Sequence, residues 1–299
     1  MEATAVLDRS LRTYHVLGVP LRAGSLTPGG ENDARAFREA ELLTRLHTAG
    51  VRAIDEGDLA IPSYLPHHTV PPIRNWPAPR IVWDLLGEHL APRLREGDGV
   101  PLLIGCDCSV VVGTSRALAQ TGADVHVLYV DGDFDDAPPD AVQYRSAAQT
   151  AVWLLTHASP FAPGPALRPD QVTVIGASLP SATHDGHGAH ETERVRALSL
   201  ADVRRLGPAA AASQALVALP PSAAIVLHFD IDVLAGAAMP AAYFPHADGL
   251  TLEEALTLLR SLVADPRLRV LEIAEYAALA DPSHREIGRL IDLLVRTLA

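Results

Sequence analysis

The sequence predicts an α/β protein, a three-layer α/β/α sandwich with a mainly parallel central sheet, formed by residues 1–299 as a single domain. Three observations carry that expectation. Strand-like and helix-like segments alternate along most of the chain, which is the pattern of parallel strands joined by crossover helices. Short apolar runs rich in β-branched residues, such as Val125–Val130 and Ala223–Phe229, read as strands buried on both faces. Acidic residues gather where such runs end, and the C-terminal ends of strands are where ligands sit in this architecture.

In chain order, Tyr14–Val19 reads as the first strand and is followed by a Gly- and Pro-containing loop, Gly24–Gly30. Asn32 or Asp33 caps a helix over Ala34–Ala49, closed by Gly50. Val51–Asp55 is a second strand, and Pro-rich Ile61–Pro79 a long surface loop. Ile81–Leu94 has helical spacing, Pro101–Ile104 is a strand, and Val110–Gln120 a helix. Val125–Val130 is a strand, Ala147–His157 a helix and Gln171–Ile175 a strand. Leu200–Ala218 is helical with a Gly-Pro interruption, and Ile225–Asp232 is a strand ending in two acids. Leu252–Val263 is a helix capped by Thr251, Arg269–Glu275 a strand, and Ser283–Leu298 the last helix.

At 299 residues and 48% hydrophobic, the chain can bury a large core. Its net charge of −12 argues against nucleic acid or an anionic membrane as partner, and every basic residue is Arg. No apolar stretch reaches the roughly 18 residues of a membrane span. The N-terminus carries Glu2, Asp8 and Arg9 rather than a basic-then-apolar leader, so a cytoplasmic location is expected. The cysteines are Cys106 and Cys108, too close in sequence for a structural disulfide framework.

Asp230 and Asp232, spaced i, i+2 at a strand end, are expected on one side of that strand. Like charges buried together need a cation between them, and a divalent metal is the natural one. Asp131, Asp133 and Asp135 repeat the spacing after Val125–Val130. The competing reading of these acids is a solvated strand end or a turn cap.

Three segments converge: Gly105-Cys106-Asp107-Cys108-Ser109, Asp131-Gly132-Asp133-Phe134-Asp135 and His228-Phe229-Asp230-Ile231-Asp232. In order and placement they resemble the Gly-Gly-Asp-His-Ser, Asp-Ala-His-x-Asp and Ser-Phe-Asp-x-Asp motifs of the arginase/agmatinase (ureohydrolase) family. Gly249-Leu250-Thr251 and Leu271-Glu272-Ile273-Ala274-Glu275 resemble later landmarks, so the likeness spans nearly the whole chain. It implies a divergent arginase-like member, two Mn²⁺ ions sharing a hydroxide, and a homo-oligomer.

Carried over by position, Asp131, Asp135, Asp230 and Asp232 match the family's carboxylate ligands, while Cys108 and Asp133 stand where it has histidines. A gapped alignment instead makes Asp133 the second carboxylate; the ungapped one also aligns Pro139. The ungapped set, Cys108, Asp131, Asp133, Asp135, Asp230 and Asp232, would bring six negative charges. Excess anionic ligands raise the pKa of a bound water. Three outcomes stay open: Cys108 is a buried neutral thiol, one metal site is lost, or Zn²⁺ or Fe²⁺ replaces Mn²⁺ because thiolate favours softer ions. Asp107 is expected to orient a ligand or cap the next helix.

Glu275 aligns with the family's guanidinium-binding Glu, where a carboxylate accepts paired N–H bonds; its bland alternative is a surface ion pair. The family's following Asn-Pro is Ala277-Ala278 here, and its His near the substrate mouth falls at about Ala148. The loop after Gln171–Ile175 also departs from the pattern that reads a free amino acid, and holds His184, His187 and His190, either a flexible polar tract or a metal site of their own.

The resemblance thus implies a metal-dependent amidinohydrolase. A metal-held hydroxide attacks a guanidino or modified guanidino carbon, Asp135 relays the proton, Glu275 holds the guanidinium, and urea or a substituted urea leaves with an amine. A hydroxyguanidine, an acylated guanidine or a peptidyl arginine is expected rather than free L-arginine. The alternatives are a degenerate member that binds metal or a partner without hydrolysis, and a deacylase-like single-metal hydrolase.

Overall fold

The computed structural model describes residues 12–25, 32–68, 70–178 and 195–299. Among the described residues, eight strands form one sheet: β1 (Thr13–Gly18), β2 (Arg52–Asp58), β3 (Val100–Cys106), β4 (Asp124–Val130), β5 (Val172–Ile175), β6 (Arg196–Leu198), β7 (Ala223–Asp230) and β8 (Leu268–Ala274). Their order is β2-β1-β3-β8-β7-β4-β5-β6, and each neighbouring pair is parallel. The central strands β3 and β7 are buried at every position, which is why they read as mainly apolar runs.

Helices α1 (Asp33–Glu39) and α2 (Leu42–Thr48) follow β1; α3 (Ala78–Glu96) precedes β3, α4 (Val110–Ala119) follows it, and α5 (Ala151–Thr156) follows β4. Next come α6 (Leu200–Leu206), α7 (Pro208–Val217), α8 (Leu252–Val263) and α9 (Arg285–Leu298). Two cores flank the sheet. On one face Trp83, Leu86 and Leu90 of α3 and Val111 and Leu118 of α4 pack over Leu103, Val127, Tyr129 and Val226. On the other, Phe37, Leu46, Leu259 and Leu290 pack over Leu102, Ile104, Leu128, Leu227 and Phe229. Each fully buried side chain of this size contributes roughly 2 kcal/mol of transfer free energy. The three-layer fold is therefore the expected one.

Local departures have local causes. The helix expected over Ala34–Ala49 is two, because Glu41 adopts a left-handed conformation (φ 62°) between them. The helix expected over Ala147–His157 opens as a 3₁₀ turn at Ala148–Thr150. The strand expected to run to Asp232 stops at Asp230, and Ile231–Val233 is a 3₁₀ turn. The three-residue β6 has too little pattern to be read from sequence. At α8 the expected cap is present: Thr251 Oγ1 accepts from Glu254 N–H while the Glu254 carboxylate accepts from Thr251 N–H.

The register positions the chemistry. Tyr129 of β4 pairs with His228 of β7, and His228 pairs with Glu272 of β8. Side chains alternate along a strand, so this row and the row two residues on share one sheet face. That next row holds Asp230 opposite Ala274, with Asp131 just beyond the end of β4. A polar layer inside the sheet thus lies directly beneath a carboxylate layer at its C-terminal edge.

Candidate functional site

The strand ends open into a cavity of about 350 Å³ lined by Ser25, Cys108, Asp131, Asp133, Asp135, Ser146, Ala148, Gln149, Asp230, Asp232, Phe244, Pro245, His246 and Glu275. The six expected metal ligands and the expected guanidinium-binding Glu275 therefore share one cavity, and Ala148 lies on its wall.

Backbone turns aim these acids. Asp131 Oδ1 accepts from Asp133 N–H at 2.6 Å, and Asp230 Oδ1 accepts from Asp232 N–H at 2.8 Å. Asp232 Oδ1 accepts from Gly132 N–H at 3.0 Å and ties the two strand ends together. Asp230 and Asp232 thus converge through a 3₁₀ turn rather than as alternate residues of one strand, which corrects the sequence reading of their geometry. Asp135 and Glu275 are both held at positive φ, 47° and 61°. Such backbone costs on the order of 1–3 kcal/mol per residue and persists only where surrounding contacts enforce it.

Among the described residues, two groups offer donor atoms within 4.8 Å of one another: Cys108, Asp131, His228 and Asp230, and Asp133, Asp232 and His246. The first is buried throughout; in the second Asp133 is exposed, His246 half-buried and Asp232 buried. Asp135 is in neither group, because its carboxylate turns to the Tyr129 hydroxyl, which donates to Oδ2 at 2.6 Å. Cys108 Sγ lies 2.7 Å from Asp230 Oδ2 and 3.3 Å from His228 Nε2. His228 is wholly buried, stacked on Tyr129 at 4.5 Å, with Nδ1 2.7 Å from Glu272 Oε2.

Electrostatics strain this arrangement. Burial, then the neighbouring Asp232 carboxylate, pushes Asp131 and Asp230 well above the usual carboxylate range. Burial also raises Asp135, opposed by the Tyr129 hydrogen bond. Burial and the charges of Asp230 and Asp131 push the Cys108 thiol up. His246 Nε2 lies 3.4 Å from Asp133 Oδ2 and 3.6 Å from Asp232 Oδ2 with no aligned hydrogen bond, and those carboxylates, Asp133 first, raise it to about 10. Crowded carboxylates, a thiol and imidazoles gathered at one cavity are donors that fit a divalent cation.

Among the described residues, Glu275 takes no surface ion pair. Its carboxylate is buried, accepting from Cys108 N–H at 3.2 Å and from Ser25 Oγ at 3.2 Å. Burial and the Asp107 carboxylate push it up to about 8, with the Arg22 guanidinium opposing them. Asp107 is not aimed at the donor groups; it accepts from Gly24 N–H and Ser109 N–H, pinning the β1 loop to the start of α4.

Sequence reasoning passed over His228, Glu272, Tyr129 and His246. His228 stands two residues before Asp230, so strand alternation places it on the same face; Tyr129 precedes Asp131 in the same way. His246 comes from the loop before α8, with no local pattern to mark it. His184, His187 and His190 lie outside the described residues.

Known proteins share both fold and sequence. The arginase of Bacillus caldovelox superposes with a TM-score of 0.84, covering 97% of this chain and 99% of its own, at 20% identity. Mitochondrial arginase-2 of Rattus norvegicus is 27% identical over 310 residues, covering 98% of this chain and 85% of its own. The N(omega)-hydroxy-L-arginine amidinohydrolase of Streptomyces lavendulae is 28% identical over 207 residues, 67% of this chain and 69% of its own. The family description "Arginase family" matches residues 12–299, and the chain belongs to the arginase family.

Proposed function

We propose that this protein is a metal-dependent amidinohydrolase that cleaves a guanidino or N-hydroxyguanidino group to urea, or a substituted urea, and an amine. The observation that supports it best is the placing of Glu275, a buried carboxylate facing the same cavity as both donor groups. Cys108, Asp131, Asp133, Asp230 and Asp232, with His228 and His246, would hold divalent ions, and bound ions would supply Lewis acidity and an acidified water. Two Mn²⁺ ions are the family expectation.

The chain's own residues then divide the work. Glu275 accepts paired N–H bonds from the guanidinium, a charge-assisted fork that fixes the carbon over the acids. That cation offsets the cost of the buried carboxylate and favours its ionised form. Asp135, with a proton affinity raised by burial and a carboxylate oriented by Tyr129, takes the proton from water and passes it to the leaving amine. The name of the Streptomyces lavendulae relative supports the N-hydroxyguanidino group as a substrate to try first.

The test is urea or hydroxyurea release from a panel of guanidino and N-hydroxyguanidino compounds, with Mn²⁺ or Zn²⁺ added and after chelation. Chelator-sensitive release supports the reading. A folded, metal-loaded protein that releases neither product from any compound sinks it in favour of a non-hydrolytic member.

A further inference from the structure

The buried donor group differs in kind from the outer one. Cys108, Asp131, His228 and Asp230 are each at most 2% exposed and bring one sulfur, one imidazole and two carboxylates to one point. Nδ1 of His228 faces Glu272 Oε2, so a proton on Nδ1 leaves the lone pair of Nε2 aimed at Cys108 Sγ. A carboxylate behind an imidazole is how proteins fix the tautomer of a metal-ligating histidine. Among the described residues, the second Glu272 oxygen, Oε1, is buried without a hydrogen-bond partner. In front of the imidazole, the Cys108 proton has three acceptors within reach: Asp230 Oδ2 at 2.7 Å, His228 Nε2 at 3.3 Å and Asp131 Oδ2 at 3.9 Å. Four donor side chains thus converge on one buried point, an arrangement that a cation relieves.

Resting on the metal-dependent reading above, we propose that Cys108, Asp131, His228 and Asp230 form one closed thiolate–imidazole–dicarboxylate site that selects Zn²⁺ over Mn²⁺. Tetrahedral sulfur, nitrogen and oxygen donors are the preference of Zn²⁺, with ligand–ligand edges to sulfur of about 3.5 Å. The contacts from Sγ to His228 and Asp131 bracket that edge at 3.3 and 3.9 Å, while Asp230 Oδ2, at 2.7 Å, has to draw back from the sulfur to complete the shell. Mn²⁺ favours oxygen-rich shells of higher coordination number and gains least from a thiolate. On binding, the Cys108 proton passes to solvent, the sulfur–metal bond takes its place, and no oxidant or reductant is required.

The test uses Co²⁺ as a spectroscopic stand-in for Zn²⁺ in the full chain stripped of metal. The expected result is a sulfur-to-cobalt charge-transfer band with the intense visible bands of a tetrahedral ion, removed by stoichiometric Zn²⁺ and not by equimolar Mn²⁺. Cys108→Ser should abolish the charge-transfer band, and His228→Gln should weaken Zn²⁺ binding at least tenfold. If His228→Gln does not fold, Glu272→Gln replaces it; it retains the cysteine and should weaken Zn²⁺ binding about tenfold with the band still present. A weak octahedral spectrum without a sulfur band, or displacement by Mn²⁺ at equal concentration, overturns the assignment. Chelator-sensitive urea release reports separately on the hydrolase reading: its presence without the sulfur band leaves that reading standing, and its absence with the band sinks the reading alone.

Discussion

Gly132 and His246 occupy adjoining space so tightly that a β-carbon on Gly132 would lie 2.6 Å from Cδ2 and 2.9 Å from Nε2 of the His246 ring. The imidazole can therefore enter the group with Asp133 and Asp232 only because position 132 has no side chain.

Gly132→Ala is expected to displace that ring while leaving the buried donors in place. Outer-site metal affinity should fall about tenfold or more, and the cysteine-dependent cobalt band should remain. Equilibrium dialysis with elemental analysis counts the ions; unchanged binding of both equivalents would show that His246 is not a ligand.

Glu275→Gln keeps the shape of the side chain but removes the charge that faces the guanidinium. A buried charge-assisted pair lost in this way costs about 3 kcal/mol, on the order of 100-fold in kcat/KM. Because Glu275 is raised to about 8, a guanidinium analogue should bind the native protein more tightly as pH rises toward that value. Titration calorimetry at several pH values checks the slope, and the Gln variant should lose that part of the dependence.

Tyr129→Phe removes the hydrogen bond that lowers the proton affinity of Asp135. Asp135 should then hold its proton to higher pH, moving the acidic limb of the kcat profile upward and lowering kcat at neutral pH about tenfold. An unmoved limb would show that Asp135 does not carry the transferred proton.

The metal-free protein should be more stable in mild acid than in mild base. Asp131, Asp135 and Asp230 have folded-state pKa values above their unfolded ones, so the native state binds protons that the unfolded chain has released. Their contribution is fully present below the unfolded carboxylate range, near pH 4, and is lost as pH rises through the folded values. The melting temperature without metal should fall as pH rises above the unfolded carboxylate range, and saturating Zn²⁺ should flatten or reverse that trend.

The sheet was legible because buried parallel strands carry a signal that needs no partner to be read: β3, β4, β7 and β8 are mainly apolar and of the right length. The acids were legible because they end those runs. The α1–α2 break was not, since it depends on one left-handed residue, Glu41, inside a helix-compatible stretch. The imidazoles were not either, for opposite reasons. His228 sits in an apolar strand, where a lone histidine is ordinarily a core residue, and its role emerges only from register with Glu272 and Tyr129. His246 reaches the acids across the fold, a tertiary placement that local sequence does not encode. Asp135 was placed among the ligands by position, yet its rotamer follows the Tyr129 hydroxyl.

The row Tyr129–His228–Glu272 beneath the row Asp131–Asp230 has a consequence for how this site can vary. Donor identity is a matter of side chains, and a substitution can exchange thiol, imidazole or carboxylate without moving the backbone. Donor position is a matter of strand register, and one residue inserted into β7 would turn Phe229 into the cavity and His228 into the opposite core. Divergence of this protein is therefore free to alter which ion the site prefers, while the spacing of the strands that present the donors is kept.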